Sequence, residues 1–163
     1  MYDAKALLAG EENALADAID ALSPELYRYA AGILLSRMDA EDAVQCAFAA
    51  LWQHRREVKN PDGLRAYLYR CTYRAAVDII RRNRLFVPPE KRENDCPLSE
   101  AMQTALARLS AAERAIVYER AVYETPYEEL AEHMGLRADN VRKKYQRARQ
   151  KLAAILKEDL YAE

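Results

Sequence analysis

Residues 125–156 read TPYEELAEHMGLRADNVRKKYQRARQKLAAIL, a pattern that predicts two helices joined at a glycine. Thr125-Pro126 followed by Glu128 is a helix start signal, because a hydroxyl caps free amides and proline fits a first turn. Gly135 suits the tight turn, since glycine adopts positive φ without strain. The second helix begins just after this turn, and its apolar residues share one face: Val141, Tyr145, Ala148, Leu152 and Ile155.

The second helix carries its basic residues away from that apolar face. Residues 137–151 contain seven Lys or Arg and one acid, Asp139. In a helix-turn-helix the second helix enters the major groove, where Arg and Lys bind guanine or phosphate and Asn pairs with adenine. The candidate DNA contacts are Asn140, Arg142, Lys143, Lys144 and Arg147. An ordinary helical hairpin with a solvated basic face is the alternative interpretation.

Helix start signals also divide the rest of the chain. They predict helices that start at Ser23-Pro24, at Asp39 with Asp42 (to about Glu57), at Asn60-Pro61 (to Arg84) and at Ser110 with Glu113 (to about Tyr123). Between them, 85–97 holds three of the six prolines and no helical period, which is typical of a linker. The expected fold is all-α, with two small helical bundles at residues 1–84 and 98–163.

Composition limits the possible classes of protein. The chain has 163 residues, 51% of them hydrophobic, with four glycines, so it can bury a helical core. Its net charge is only -1, but the charges are segregated, with acidic residues near the N-terminus and basic residues on later helices. Three cysteines without metal-ligand spacing, together with the lack of a membrane span or signal peptide, favour the cytoplasm. The sequence shows no pattern for a metal, a cofactor or catalysis, so an enzyme is not expected.

Two predicted helices upstream of the linker combine charge with aromatic residues. Residues 39–58, DAEDAVQCAFAALWQHRREV, have one acidic and one basic end. Residues 64–84 interleave Tyr67, Tyr69 and Tyr73 with arginines. Rings that stack on bases beside cations that neutralise phosphates suit single-stranded nucleic acid, although each tyrosine is also a candidate for the core.

The order of these motifs resembles the sigma-70 family of bacterial transcription factors, in its compact extracytoplasmic-function type. The resemblance is carried by LYRYAAGIL, DAEDAVQ-x-x-F-x-x-LW, LRAYLYR-x-x-x-x-x-A-x-D-x-x-RR, ALARLSAAERAIVYER and ELAEHMG-x-x-x-x-x-VRKKYQRARQKL. These motifs span most of the chain, in the order that the family has them. The resemblance implies a region 2 bundle, a linker and a region 4 helix-turn-helix.

The resemblance also implies partners and site residues. Core RNA polymerase is expected to bind Asp39, Asp42 and Gln45. The -35 element of promoter DNA is expected to bind the second helix of the helix-turn-helix. For the -10 element the implied residues are Asn60, Arg70, Arg74, Asp78, Arg81 and Arg82, with a flipped base received near 58–63. The sequence leaves open whether an anti-sigma factor is a further partner. It also leaves two other functions open, a helix-turn-helix regulator without sigma activity and a helical interaction adaptor.

Overall fold

The protein is described by a computed structural model over residues 1–86, 96 and 98–162. Its helices are α1 (Ala4–Ala9), α2 (Glu12–Leu34), α3 (Arg37–His54), α4 (Leu64–Phe86), α5 (Glu100–Ala107), α6 (Ala111–Tyr123), α7 (Tyr127–Met134) and α8 (Ala138–Ala162). No strand occurs in the described residues, so the fold is all-α as predicted. None of the helices in this part of the chain has the length and apolar character that a membrane span requires. The predicted linker, 85–97, lies mostly outside the described residues.

The predicted helix start at Ser23-Pro24 is wrong, because α2 runs through this dipeptide from Glu12. Proline inside a helix lacks one amide hydrogen bond and usually ends or kinks the helix. Here one buried stripe continues on both sides of the proline: Ala14, Ala18, Leu22, Leu26 and Ile33. Burial of this continuous face outweighs the local stop signal. The short helix α1, capped by Asp3, was also not predicted.

The other start signals lie close to the observed helix starts. Ser36, and not Asp39, caps α3, and its hydroxyl accepts from the amide of Asp39 at 3.2 Å. Asn60 caps a short 3-10 turn at Pro61–Gly63 that leads into α4. Ser110 caps α6, as predicted, and α6 ends at the predicted Tyr123. Before α7, Pro126 occupies the cap position without a side-chain cap.

Two groups of helices, α1–α4 and α5–α8, pack against each other in the described structure. The contacts join α2 to α6 and α4 to α7, and one hydrophobic core spans both groups. Tyr118 of α6 lies against Gly32 of α2, where an added Cβ would be 2.9 Å from the Tyr118 ring. The helix-turn-helix α7–α8 is therefore supported partly by the first group.

An arginine from each group caps a helix end in the other group. Arg70 of α4 donates to the carbonyl oxygen of Glu132, near the end of α7, at 3.1 and 2.9 Å. Arg114 of α6 donates to the carbonyl oxygen of Ile33, near the end of α2, at 2.6 Å. Carbonyls at a helix C-terminus lack intrahelical partners and carry partial negative charge, so both contacts are favourable.

Candidate nucleic-acid interface

The α8 face that the sequence predicted for DNA is available to solvent. Asn140, Arg142, Lys143 and Arg147 are exposed, and Lys144 is half-buried. On the opposite side of α8, the predicted apolar stripe packs inward through Val141, Ala148 and Ile155. Gly135 forms the turn before α8 with φ of 65°, the positive φ that was expected of a glycine at this turn. α8 therefore presents a row of donors on a buried support.

The base of this helix-turn-helix holds a stack that the sequence reasoning missed. Tyr127, the first residue of α7, lies edge-on to Tyr145 of α8 with the ring centroids 6.1 Å apart. The Arg120 guanidinium of α6 lies 4.5 Å from the Tyr127 centroid. The guanidinium of Arg142 lies 5.1 Å from the same ring. The only sequence signal was the recurrence of tyrosine and arginine at these positions, and it does not reveal the pairing.

The predicted -10 residues on α4 are in two different environments. Arg74, Asp78, Arg81 and Arg82 are exposed. Arg81 and Asp78 approach to 3.9 Å, but both side chains are more than 70% exposed, so this pair contributes at most about 1 kcal/mol. Arg70, in contrast, is half-buried and faces α7. Arg70 is therefore in a different environment from Arg74, Arg81 and Arg82, which are exposed on the same helix.

Asn60 and the tyrosines of α4 also differ in their roles, since some stabilise the fold and others are partly exposed. The Asn60 side-chain oxygen accepts from the amide of Asp62 at 3.0 Å and so shapes the turn before α4. Tyr69 is 1% exposed and belongs to the core. Tyr67 and Tyr73 are half-buried, and desolvation is the main cause that raises the pKa of Tyr67 to about 12. Among the tyrosines of α4, Tyr67 and Tyr73 are therefore the two that are partly exposed.

The residues predicted to face polymerase lie on α3, beside a groove. Asp42 and Gln45 are exposed, whereas Asp39 is half-buried and accepts from the Asn83 amide of α4 at 3.0 Å. The groove runs between α2 and α3, and its walls include Ile19, Tyr27, Val44 and Gln45. This surface combines an apolar depression with an acidic and amide rim, which is a common composition for a protein interface.

A buried polar pair lies between the two helix groups. A 2.7 Å hydrogen bond joins His133 Nδ1 of α7 to Glu119 Oε1 of α6, and both side chains are at most 2% exposed. The ring of Tyr69 from α4 stacks on His133, with the centroids 4.8 Å apart and the planes within 16°. Desolvation raises the pKa of Glu119, and the hydrogen bond with His133 offsets only part of this effect.

The described residues contain no cluster of three or more His, Cys, Asp or Glu side chains arranged to hold a metal ion. His54 is exposed on α3 and pairs with Glu57 at 3.0 Å, far in sequence from the buried His133. The acidic side chains Asp42 and Asp78 are likewise exposed on separate helices.

Two family models match the chain, and together they account for most of its length. The model described as Sigma-70 region 2 matches residues 18–86, which include α3 and α4. The model described as Sigma-70, region 4 matches residues 99–152, which include the helix-turn-helix. No curated protein matches the chain significantly.

Solved structures show the same arrangement of helices. The chain is similar to CnrH in its complex with the cytosolic domain of CnrY, with 25% identity, a TM-score of 0.77 and 96% of each chain covered. It also has the fold of the sigma factor RpoE in complex with the anti-sigma factor NepR from Bartonella quintana. That match has 21% identity and a TM-score of 0.70, and covers 87% of this chain and 96% of that one. With both conserved regions present in order, the chain belongs to the sigma-70 family of transcription initiation factors, as a member of the extracytoplasmic-function type.

Proposed function

We propose that this sigma factor binds core RNA polymerase and directs initiation at selected promoters through separate contacts with the -10 and -35 elements. One observation carries the proposal: exposed cations occupy two helices, α4 and α8, that lie within the matched regions 2 and 4. In this proposal residues 1–84 bind polymerase and the -10 element, 85–97 are the linker, and 98–163 bind the -35 element.

The proposed -35 contacts are on α8. Asn140 and Arg142 lie in its first turns, where helix-turn-helix proteins reach base edges. Lys143, Lys144 and Arg147 continue along the helix and are suited to phosphates, because long cationic side chains neutralise the DNA backbone. The buried support under this face favours a fixed orientation of the helix in the groove.

The proposed -10 contacts are on α4 and in the turn before it. Arg74, Asp78, Arg81 and Arg82 are exposed along one helix, and the Asn60 turn precedes it. Arg70 can join them only after its hydrogen bonds to the Glu132 carbonyl break. We therefore assign Arg70 to promoter DNA only in a form of the protein in which α4 and α7 have separated.

The proposed polymerase surface is the exposed part of α3 with the groove beside it. Asp42 and Gln45 offer acceptors next to apolar walls, and Asp39 has a second role, since it also anchors Asn83 of α4. An anti-sigma factor is a further proposed partner. The support is that the relatives CnrH and RpoE were both solved with bound proteins, the latter an anti-sigma factor.

Run-off transcription with core RNA polymerase from the source bacterium, followed by sequencing of start sites, tests the proposal. We expect the chain to confer a small set of start sites that share sequence at both elements. One control reaction contains core polymerase alone, and a second contains core polymerase with the heat-denatured chain. A helix-turn-helix regulator without sigma activity would bind DNA but leave core polymerase without selectivity, and an adaptor would do neither.

The polymerase surface is tested by exchange of exposed residues that have no anchoring role. Asp42→Asn with Gln45→Ala should weaken capture of core polymerase while the unfolding transition stays in place. Glu12→Gln with Asp17→Asn removes two exposed acids of α2 as the matched control, and capture should not change. Equal capture by both double variants would remove the α3 surface from the interface.

The -35 surface is tested by the salt dependence of holoenzyme binding to promoter DNA. Each phosphate contact contributes about 0.9 to the slope of log affinity against log salt. Lys143→Gln, Lys144→Gln and Arg147→Gln together should make this slope shallower by up to about three units. Lys5→Gln, an exposed cation on α1, is the control. An unchanged slope in the triple variant would contradict the assigned contacts.

A further inference from the structure

The stack at the base of the helix-turn-helix joins three helices through two tyrosines. Tyr127 begins α7, Tyr145 lies on α8, and Arg120 of α6 lies 4.5 Å and 5.6 Å from the two ring centroids. The guanidinium of Arg120 is itself anchored, since its Nη1 donates to the carbonyl oxygen of Thr125 at 2.9 Å. The Tyr127 ring thus packs against part-buried side chains of α6 and α8.

The same ring also reaches the exposed face of α8. The Arg142 guanidinium carbon lies 5.1 Å from the Tyr127 centroid, within the distance at which a cation is attracted to an aromatic face. Arg142 is exposed and lies between Asn140 and Lys143, among the residues assigned to DNA. Among those five residues, it is Arg142 that has an aromatic contact in the described structure.

An exposed arginine samples many rotamers and loses that freedom when it binds a base. A side chain that is already held near its bound position loses less, and the complex gains affinity. Orientation matters more for arginine than for lysine, because its planar fork must align with two acceptors of a guanine. A tyrosine ring beside the guanidinium restricts this plane, whereas Lys143 and Lys144 act as point charges.

We propose that Tyr127 is a positioning residue for sequence recognition, which holds the Arg142 guanidinium for contact with a base pair of the -35 element. This inference rests on the proposed function, and it adds a specificity role for a residue outside the helix that enters the groove. Tyr127 acts through Arg142 and makes no DNA contact of its own.

A double-mutant cycle on the full chain in the holoenzyme tests the inference. The variants are Tyr127→Leu, Arg142→Ala and the two combined, and the DNA is the promoter found by run-off with each -35 base pair changed in turn. Tyr127→Phe keeps the ring and is the matched control. Affinity and the preference at each base pair are measured, with unfolding transitions to identify variants that fail to fold.

We expect Arg142→Ala to lower affinity by about fivefold or more and to flatten the preference at one base pair. Tyr127→Leu should lower affinity by about two- to fivefold and weaken the preference at that same base pair. In the Arg142→Ala background, Tyr127→Leu should have no further effect. Tyr127→Phe should bind within about twofold of the wild type.

Two results would overturn the inference while leaving the proposed function intact. An equal loss from Tyr127→Leu with and without Arg142 would mean that the ring only supports the fold. A loss from Tyr127→Phe as large as that from Tyr127→Leu would mean that the hydroxyl makes its own contact. If the wild-type chain directs no initiation at all, the proposed function fails, and the assignment of Arg142 to DNA falls with it.

Discussion

The two cationic helices differ in what covers them. On α8 most of the basic side chains face solvent, and the apolar side of the helix packs inward. On α4, Tyr69 and Arg70 lie on the N-terminal side of the exposed Arg74, Arg81 and Arg82. Both residues contact α7 of the other helix group. Two helices that look alike in the sequence therefore differ in how much of their surface is available for a ligand.

The contact between α4 and α7 limits how far apart the two proposed promoter-binding helices can lie. Elements centred at -10 and -35 are about 25 base pairs apart, or about 85 Å along the duplex at about 3.4 Å per base pair. In the described structure α4 touches α7, so the two proposed DNA-binding surfaces are held close together. Simultaneous binding of both elements requires this contact to open. Mutations at the contact between α4 and α7 should therefore change how much of the α4 surface is available for a ligand more than they change the α8 surface.

The largest effect is expected from loss of one member of the buried pair. His133→Ala leaves Glu119 buried without its hydrogen-bond partner and removes the ring on which Tyr69 stacks. The unpaired buried carboxyl and the cavity left by the ring together should cost about 3–5 kcal/mol of stability. Urea unfolding measures the change. His54→Ala, which removes an exposed histidine from a pair with Glu57, should cost less than about 1 kcal/mol, and similar losses in both variants would contradict the expectation.

A smaller effect is expected from a single methyl group between α2 and α6. Gly32→Ala places a Cβ 2.9 Å from the Tyr118 ring, so the two helix groups must move apart or the ring must shift. Overpacking of this kind costs about 1–3 kcal/mol. We expect lower stability and a larger radius of gyration by small-angle scattering. Gly63→Ala is the control, since an added Cβ there meets nothing within 4 Å. Identical scattering and stability for the two variants would show that Gly32 does not set the closeness of the groups.

A direct comparison within α4 is expected to give a still smaller effect. Arg70→Gln removes the two hydrogen bonds to the Glu132 carbonyl and should lower stability by about 0.5–1.5 kcal/mol. Arg74→Gln changes an exposed arginine one turn further along and should stay within about 0.5 kcal/mol of the wild type. Thermal unfolding of both variants under one condition distinguishes them. If Arg74→Gln destabilises as much as Arg70→Gln, the cap on α7 contributes nothing.

The sequence predicted the local structure better than the contacts between the helix groups. The start of α6 at Ser110, the glycine turn and the apolar stripe of α8 were predictable, because caps and periodicity act within a few residues. The continuation of α2 through Pro24 was not, because it depends on a stripe that becomes visible only when its packing partners are known.

The candidate site shows the same limit. Exposure of the α8 cations follows from their spacing relative to Val141 and Ala148, and it was predicted. The capture of Arg70 by a carbonyl of α7 is a contact between residues 62 positions apart, which no local pattern encodes. Tyr127 was missed for the same reason, since its partners lie on α6 and α8.

The smallest change that still tests the contact between α4 and α7 is an isosteric one. Glu119→Gln keeps an oxygen that accepts from His133 but cannot carry a negative charge. Burial raises the pKa of Glu119 in the folded state, so the folded protein holds a proton that the unfolded chain releases from about pH 4.3 upwards. The stability that this group contributes is therefore complete at low pH and is lost as pH rises through the folded-state pKa.

We expect wild type and variant to be equally stable near pH 4, and the wild type to lose stability relative to the variant at higher pH. Urea unfolding over this range measures the difference, with the exposed Glu128→Gln as control. A gap that stays constant, or that closes as pH rises, would mean that the Glu119 carboxylate is accommodated between the helix groups without cost, and that opening of the α4 contact owes nothing to its charge.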